Sequence, residues 1–384
     1  MEAVINADPS KSSMTEIVHL TLGILRCVPR DKVYDFHDNR VQNGKKGIFD
    51  VVNRELQELN LYKTLAQPAD SIFLFISHTW VTPQDWPNDR NFETIKLDQM
   101  YSSSQDLKRD YVVGGGGGTV KSTAAQHTLL WLDKVSSPQW GDAYEAVKKF
   151  DFFFMQYIAL SENMLVIAVP SYFTRLWCVF EIASFLSLHP PGRLYIGIDA
   201  FLNDRGAVMD DGISAEEATI YHIQSYLDII LDLSLDKLQC QKEEDRKILL
   251  RLVHQNFGKT ETFENFSKIC ALAMIAHNMN ISVEFMTNNE IEDPNNELQN
   301  VYVQAFDAVK ESSKKVSTEL YECLGLLEQG EYADTFGGKS PAMTSFHEHL
   351  EPFLSNLKHD MLVPNNPLSE YAKAVITVRE ASTA

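Results

Sequence analysis

Residues Met164 to Leu186 read MLVIAVPSYFTRLWCVFEIASFL, two apolar runs joined by a short polar turn. Its first part, MLVIAV, is apolar without alternation, the pattern of a strand covered on both faces. After PSYFTR, the run LWCVFEIASFL is long enough for a helix and carries a single carboxylate, Glu181. On a helix, its neighbours one turn away are Trp177, Cys178, Ser184 and Phe185, none of which can pair with a charge. A desolvated carboxylate is costly unless it is paired, hydrogen-bonded or used. Glu181 therefore makes this strand-helix unit a candidate site as well as a structural element.

Three more apolar runs have the same character: SIFLFIS (Ser71 to Ser77), TLLWLD (Thr128 to Asp133) and RLYIGI (Arg193 to Ile198). The segment DAYEAVKKFDFFFMQYIALSE, between TLLWLD and MLVIAV, has the length of a helix. A series of strands separated by helices packs most simply as a parallel sheet with right-handed crossovers, giving a doubly wound α/β domain over residues 65–205. Upstream, GILRCVPRDKVYDFHDNR and FDVVNRELQELNLYKTL read as short helices in an N-terminal extension, residues 1–64. Downstream, ATIYHIQSYLDIILDLSLDKL and ENFSKICALAMIAHNM place apolar residues three and four apart. Residues 206–384 are accordingly expected to form a mainly helical C-terminal region.

The first crossover carries an insertion, about residues 101–125, that contains YVVGGGGGTVKS (Tyr111 to Ser122). A phosphate loop of the Walker type needs Gly immediately before Lys and a strand in front; here Val120 precedes Lys121 and the upstream residues are polar. The run reads better as a solvated low-complexity connection than as the loop of a nucleotide hydrolase.

With 384 residues and 44% hydrophobic content the chain can bury a large core. Fifty-three acidic against 34 basic residues give a net charge of −19, which opposes any broad hold on nucleic acid or an anionic membrane. A local pocket for one anionic ligand remains compatible with it. The five cysteines are far apart and form no CxxC pair, which argues against a disulfide framework or a zinc site and for a reducing compartment. The N-terminus has acids where a signal peptide needs a basic region, and no apolar run reaches spanning length. The expected location is cytoplasmic, with no metal.

Ligands of open parallel sheets gather beyond the carboxyl ends of the strands. Those ends deliver Ser77, His78, Thr79 and Trp80; then Trp131, Asp133 and Lys134; then Ser171, Tyr172, Arg175, Trp177 and Glu181. Each has a plainer reading. His78 can be a loop hydrogen-bonding residue, Asp133 a turn cap, and Trp80, Trp131 and Trp177 packing residues, although three indoles near one edge also make a stacking surface. Cys178 lies near a helix start, where a thiolate is favoured, but no His is placed as its base.

SIFLFISH, LLWLDK and MLVIAVPSYFTRLWCVFEIASFL, in this order and spacing, resemble the TIR (Toll/interleukin receptor) domain and its relatives, the most specific piece being W-C-x-x-E after an apolar strand and a Tyr. The resemblance implies a flavodoxin-like parallel sheet with helices on both faces. In the enzymatic branch of the family it implies cleavage of the nicotinamide–ribose bond of NAD, which is substrate rather than cofactor. The glutamate of W-C-x-x-E is that branch's catalytic residue and maps onto Glu181, with Ser77, His78, Trp80, Asp133, Tyr172, Arg175 and Trp177 as the expected substrate-binding set. Other members are non-catalytic interaction modules, and self-association through the domain is an implied property. The five-glycine insertion and VSSPQWGDAY after LLWLDK depart from the family pattern, and no fifth strand is evident directly after Ile198.

Overall fold

The structure is a computed structural model that describes residues 13, 15–18, 26–44, 63–64, 72–79, 97, 100, 128–136, 153–167, 170–189, 193–197, 226–288, 297–324, 362–370, 372–374 and 377. The chain divides into two compact units. The first comprises Met1–Ser77, Arg90–Ile167 and Pro367–Ala384, and the second His78–Asp89 and Ala168–Asn366. The Gly-rich run Tyr111 to Ser122 and the indole of Trp80 lie outside the described residues.

The first unit holds β1 (Arg26–Pro29), α1 (Arg30–Gln42), β2 (Lys63–Thr64), β3 (Ile72–His78), β4 (Thr128–Leu132), α2 (Asp133–Ser136), α3 (Phe153–Leu160) and β5 (Asn163–Ile167). His78, the last residue of β3, already belongs to the second unit. The strand order is β2-β1-β4-β3-β5. β3 and β4 are parallel, in register from Ile72 opposite Thr128 to Ile76 opposite Leu132. Every residue of β4 and of β5 is buried, as their unbroken apolarity requires of strands covered on both faces.

The sheet is mixed, which corrects the all-parallel expectation. β1 is antiparallel to β4, with Val28 opposite Leu130 and Pro29 opposite Leu129. β2 is antiparallel to β1, with Arg26 opposite Thr64 and Cys27 opposite Lys63. Thus RCVP, expected within a helix, is a strand, and the helix begins only at Arg30. Pro29 explains the boundary: its fixed φ of −58° with ψ 129° is extended backbone, and it leads directly into the first helical residue. These N-terminal strands form one edge of the sheet, where the sequence suggested only helices. Cys27, Phe73 and Leu129 form one apolar cluster, so the antiparallel edge shares its core with the parallel pair. Deeper in the unit, the Phe75 and Trp131 rings stack at 4.1 Å, and Tyr157 of α3 leans on Trp131 at 5.0 Å.

The second unit contains a 3-10 turn (Pro170–Thr174), α4 (Leu176–Leu188), β6 (Leu194–Gly197), α5 (Glu243–Phe257), α6 (Thr260–Asn288) and α7 (Glu297–Leu324). All of α4 from Leu176 to Ser187 is buried except Trp177, which is half-buried. A helix apolar on every side must be enclosed by other elements. α6 packs against α4, α5 and α7, and α5 also touches α4. Aromatic contacts join these helices: Phe180 lies 6.2 Å from Phe263, and Phe257 lies 5.3 Å from Phe263. α7 shows the opposite pattern. Its buried Val309, Ser313, Val316, Ser317 and Leu320 form one stripe at three- and four-residue spacing, between exposed Glu311, Lys314 and Lys315. No helix among the described residues is long and apolar enough to cross a membrane.

Candidate functional site

The expected site residues fall into both units. In the first, Ser77 and Asp133 directly follow the paired Ile76 and Leu132, so they stand at the same carboxyl end of the parallel pair. Ser77 is fully buried, and Asp133 is half-buried as the first residue of α2. This short helix is fastened to its strand because the Leu132 N–H donates to Ser136 Oγ at 3.1 Å. The Tyr157 hydroxyl in turn donates to the Ser136 carbonyl at 3.3 Å. Trp131 is a packing residue stacked on Phe75; its indole Nε1 is buried without a hydrogen-bond partner.

In the second unit, His78 is drawn to α4 through its backbone. The Cys178 thiol donates to the His78 carbonyl oxygen at 3.6 Å, although 100 residues separate them. Such a buried thiol is a structural contact, not an activated nucleophile. The His78 Nδ1 lies 3.4 Å from the Thr79 carbonyl oxygen, which fits the loop-bonding reading of this histidine. Tyr172 is fully buried, and its hydroxyl donates to the Cys178 carbonyl at 3.3 Å. That hydroxyl is engaged in holding the 3-10 turn to the helix, and the ring packs edge-on to Phe173 at 5.3 Å. Trp177 is half-buried at the start of α4.

Glu181 lies in the second turn of α4 and is 8% exposed. The nearly complete enclosure of this helix accounts for its burial. Ser184 is its neighbour three residues on, on the same side of the helix. The two helix serines differ: the Ser187 hydroxyl donates back to the Ala183 carbonyl at 2.6 Å, the usual local solution, whereas Ser184 Oγ is buried with no partner. Ser171 Oγ, in the turn that precedes α4, is also buried with no partner. A buried hydroxyl without a partner is uncommon, because leaving it unbonded forfeits the hydrogen bonds it would make to water.

Arg175 and the start of α4 reveal residues that the sequence reading missed. Arg175 is the N-cap, but its side chain makes no capping bond. The cap function is taken by Gln239: its carbonyl accepts the Leu176 N–H at 3.0 Å, and its N–H donates to the Thr174 carbonyl at 2.8 Å. The Arg175 guanidinium also reaches Gln239 Oε1 at 3.4 Å. The segment carrying Gln239 is fastened from two helices. Arg246 of α5 donates to the Leu238 carbonyl at 2.5 Å and the Leu235 carbonyl at 2.9 Å, and Glu264 of α6 accepts the Leu235 N–H at 2.6 Å. Nothing local in the sequence marks Gln239, Arg246 or Glu264, because each acts across a long separation.

No group of His, Cys, Asp and Glu that could hold a metal ion occurs among the described residues, and the cysteines described there, Cys27, Cys178, Cys240 and Cys270, are unbridged. No known protein family, curated protein or solved structure matches this chain.

Proposed function

We propose that the chain is a TIR-like NAD glycohydrolase of the cytoplasm, or a related nucleotide N-glycosidase or cyclase, that uses Glu181 as its catalytic carboxylate. The observation that carries this reading is the pairing, one turn apart on the enclosed helix α4, of a buried carboxylate with a buried hydroxyl that lacks a partner. A ribose offers hydroxyls that can donate to the one and accept from the other. The order of the strands supports the flavodoxin-like part of the reading. Among β3, β4 and β5, the first in sequence lies between the other two, which is the arrangement that opens a ligand crevice beyond the strand ends in doubly wound sheets. Of the expected substrate-binding residues, His78, Tyr172, Arg175 and Trp177 belong with Glu181 to the second unit and carry the reading there, whereas Ser77 and Asp133 belong to the first and Trp80 lies outside the described residues. The buried Tyr172 hydroxyl and the Gln239-linked Arg175 act through the shape of the site more than through direct contact.

The chemistry asks little of the protein. Most glycosidases need two carboxylates, because a poor leaving group must be protonated while the sugar cation is stabilised. Nicotinamide leaves a pyridinium as a neutral molecule, so no general acid is required. One carboxylate that is oriented toward the ribose and gains attraction as oxocarbenium charge develops is sufficient. In a site withdrawn from water that attraction is strengthened.

A second reading, a non-catalytic TIR-like interaction module that self-associates, is favoured by the enclosure of α4, since a scaffold has no need to expose Glu181. One experiment separates the two. Purified full-length protein, tested up to high concentration so that assembly is allowed, is incubated with NAD and nicotinamide is followed by chromatography for wild type and Glu181→Gln. The glycohydrolase reading expects release by wild type and a loss of two or more orders of magnitude in the variant, on the order of 3 kcal/mol of transition-state stabilisation. Melting temperature should be held and NAD affinity should change far less than turnover. Wild-type-like release by a folded Glu181→Gln would refute the mechanism, and a wild type that associates without releasing nicotinamide would favour the module.

A further inference from the structure

We infer that Arg246 and Glu264, acting through the backbone of Gln239, are positioning residues that set the first turn of α4 and so place the site around Glu181. The inference rests on the reading of Glu181 as functional, but its geometry stands by itself. The four leading N–H groups of a helix have no partner inside it and need one from elsewhere. In α4 the N-cap side chain supplies none, and the first of these groups, Leu176 N–H, is satisfied by the Gln239 carbonyl at 3.0 Å. The return bond from Gln239 N–H to the Thr174 carbonyl at 2.8 Å brackets Arg175 with a two-bond parallel bridge. The residues on either side of this bridge, Tyr172, Trp177 and Glu181, are the candidate site.

The bridge is only as firm as the segment that carries it. Residues 232–242 contain no helix, and their polar backbone is held by side chains from two helices. The planar Arg246 fork spans the Leu235 and Leu238 carbonyls at 2.9 and 2.5 Å, a geometry that a lysine ammonium cannot reproduce. On the other side, Glu264 Oε1 receives the Leu235 N–H at 2.6 Å, a hydrogen bond to a charged acceptor and hence a strong one. Both helices also pack directly on α4. A change in the C-terminal helices is thereby passed to the first turn of the helix that bears Glu181 without any contact between those side chains and the substrate. That route gives the C-terminal helical region a role in regulating the site.

The test uses full-length Arg246→Lys, Glu264→Ala and Glu264→Gln, with amide hydrogen exchange at Leu176 and Gln239 as the primary readout and nicotinamide release as the second. Arg246→Lys and Glu264→Ala should accelerate exchange at both amides by tenfold or more, while interior amides of α5 and α6, such as Leu252 and Phe266, keep wild-type rates. Glu264→Gln, whose amide oxygen can still accept the Leu235 N–H, should restore most of the protection. Release should fall through kcat, with KM little changed. If Arg246→Lys fails to fold, the contrast between the two Glu264 variants decides. Wild-type exchange at Leu176 and Gln239 in a folded Glu264→Ala overturns the inference, as does equal loss in Glu264→Gln. A wild type that releases no nicotinamide refutes the proposed activity alone, because the exchange contrast judges the positioning role without it.

Discussion

Gly258, between α5 and α6, has a conformation that its neighbours make expensive to change. Its φ of 73° and ψ of −60°, together with the Lys259 N–H donating to the Phe257 carbonyl at 2.8 Å, define a tight γ-turn of the rare, strained hand. Its own N–H caps α5 by donating to the His254 carbonyl at 3.0 Å. A Cβ added there would lie 3.2 Å from Val363 Cγ2, in a segment already pinned by the Val363 N–H to the Asn256 carbonyl at 2.8 Å. For Gly258→Ala the backbone cost is about 1–2 kcal/mol, and the close contact adds to it because Val363 cannot easily retreat. A destabilisation of about 2 kcal/mol or more lowers the melting temperature of a unit of this size by roughly 4–8 °C. Gly44→Ala is the internal control: it has a similar φ of +68° but nothing within 4 Å of an added Cβ. Thermal unfolding followed by circular dichroism on both variants measures the difference. A Gly258→Ala protein that melts no lower than Gly44→Ala would show that neither the γ-turn nor the Val363 contact constrains this junction.

Alkaline stability offers a second check, because burial pushes the Tyr226 hydroxyl well above its usual pKa of 10.0 and the Cys270 thiol well above 9.0. Below those ordinary values both states keep the protons and the stability is fully present. As pH rises past 9 and then 10, the unfolded chain releases them while the folded protein retains them, so each group removes about 1.4 kcal/mol per pH unit until its folded pKa is passed. Urea titrations between pH 8 and 11 should show this fall, and Tyr226→Phe should flatten it above pH 10; an unchanged slope would contradict the burial argument. A fragment of residues 60–205 lacks β1 and leaves the β4 backbone at Leu129 and Leu130 without the partner found at Pro29 and Val28. It should lose cooperative melting and bind hydrophobic dye, whereas a melt matching the full chain would show that the antiparallel edge is dispensable.

Some of this protein was legible in its sequence because the information is local. The four unbroken apolar runs became β3, β4, β5 and β6 within one or two residues at each end, since a strand buried on both faces needs apolar side chains at every position. Glu181 stood out for the same reason, a charge in a helix with no polar face. The short strands did not stand out. β1 has four residues and β2 two, too few to display a period, and RCVP is extended because its two halves find backbone partners elsewhere, Arg26 and Cys27 in β2 and Val28 and Pro29 in β4, about a hundred residues away in sequence. The same holds at the candidate site. Its residue types could be read from the strand ends, but the Cys178 bond to the His78 carbonyl, the commitment of Tyr172 to α4 and the capping of Leu176 by Gln239 are hydrogen bonds to backbone atoms. Backbone groups are the same at every position, so which of them meet depends on how the distant segments pack.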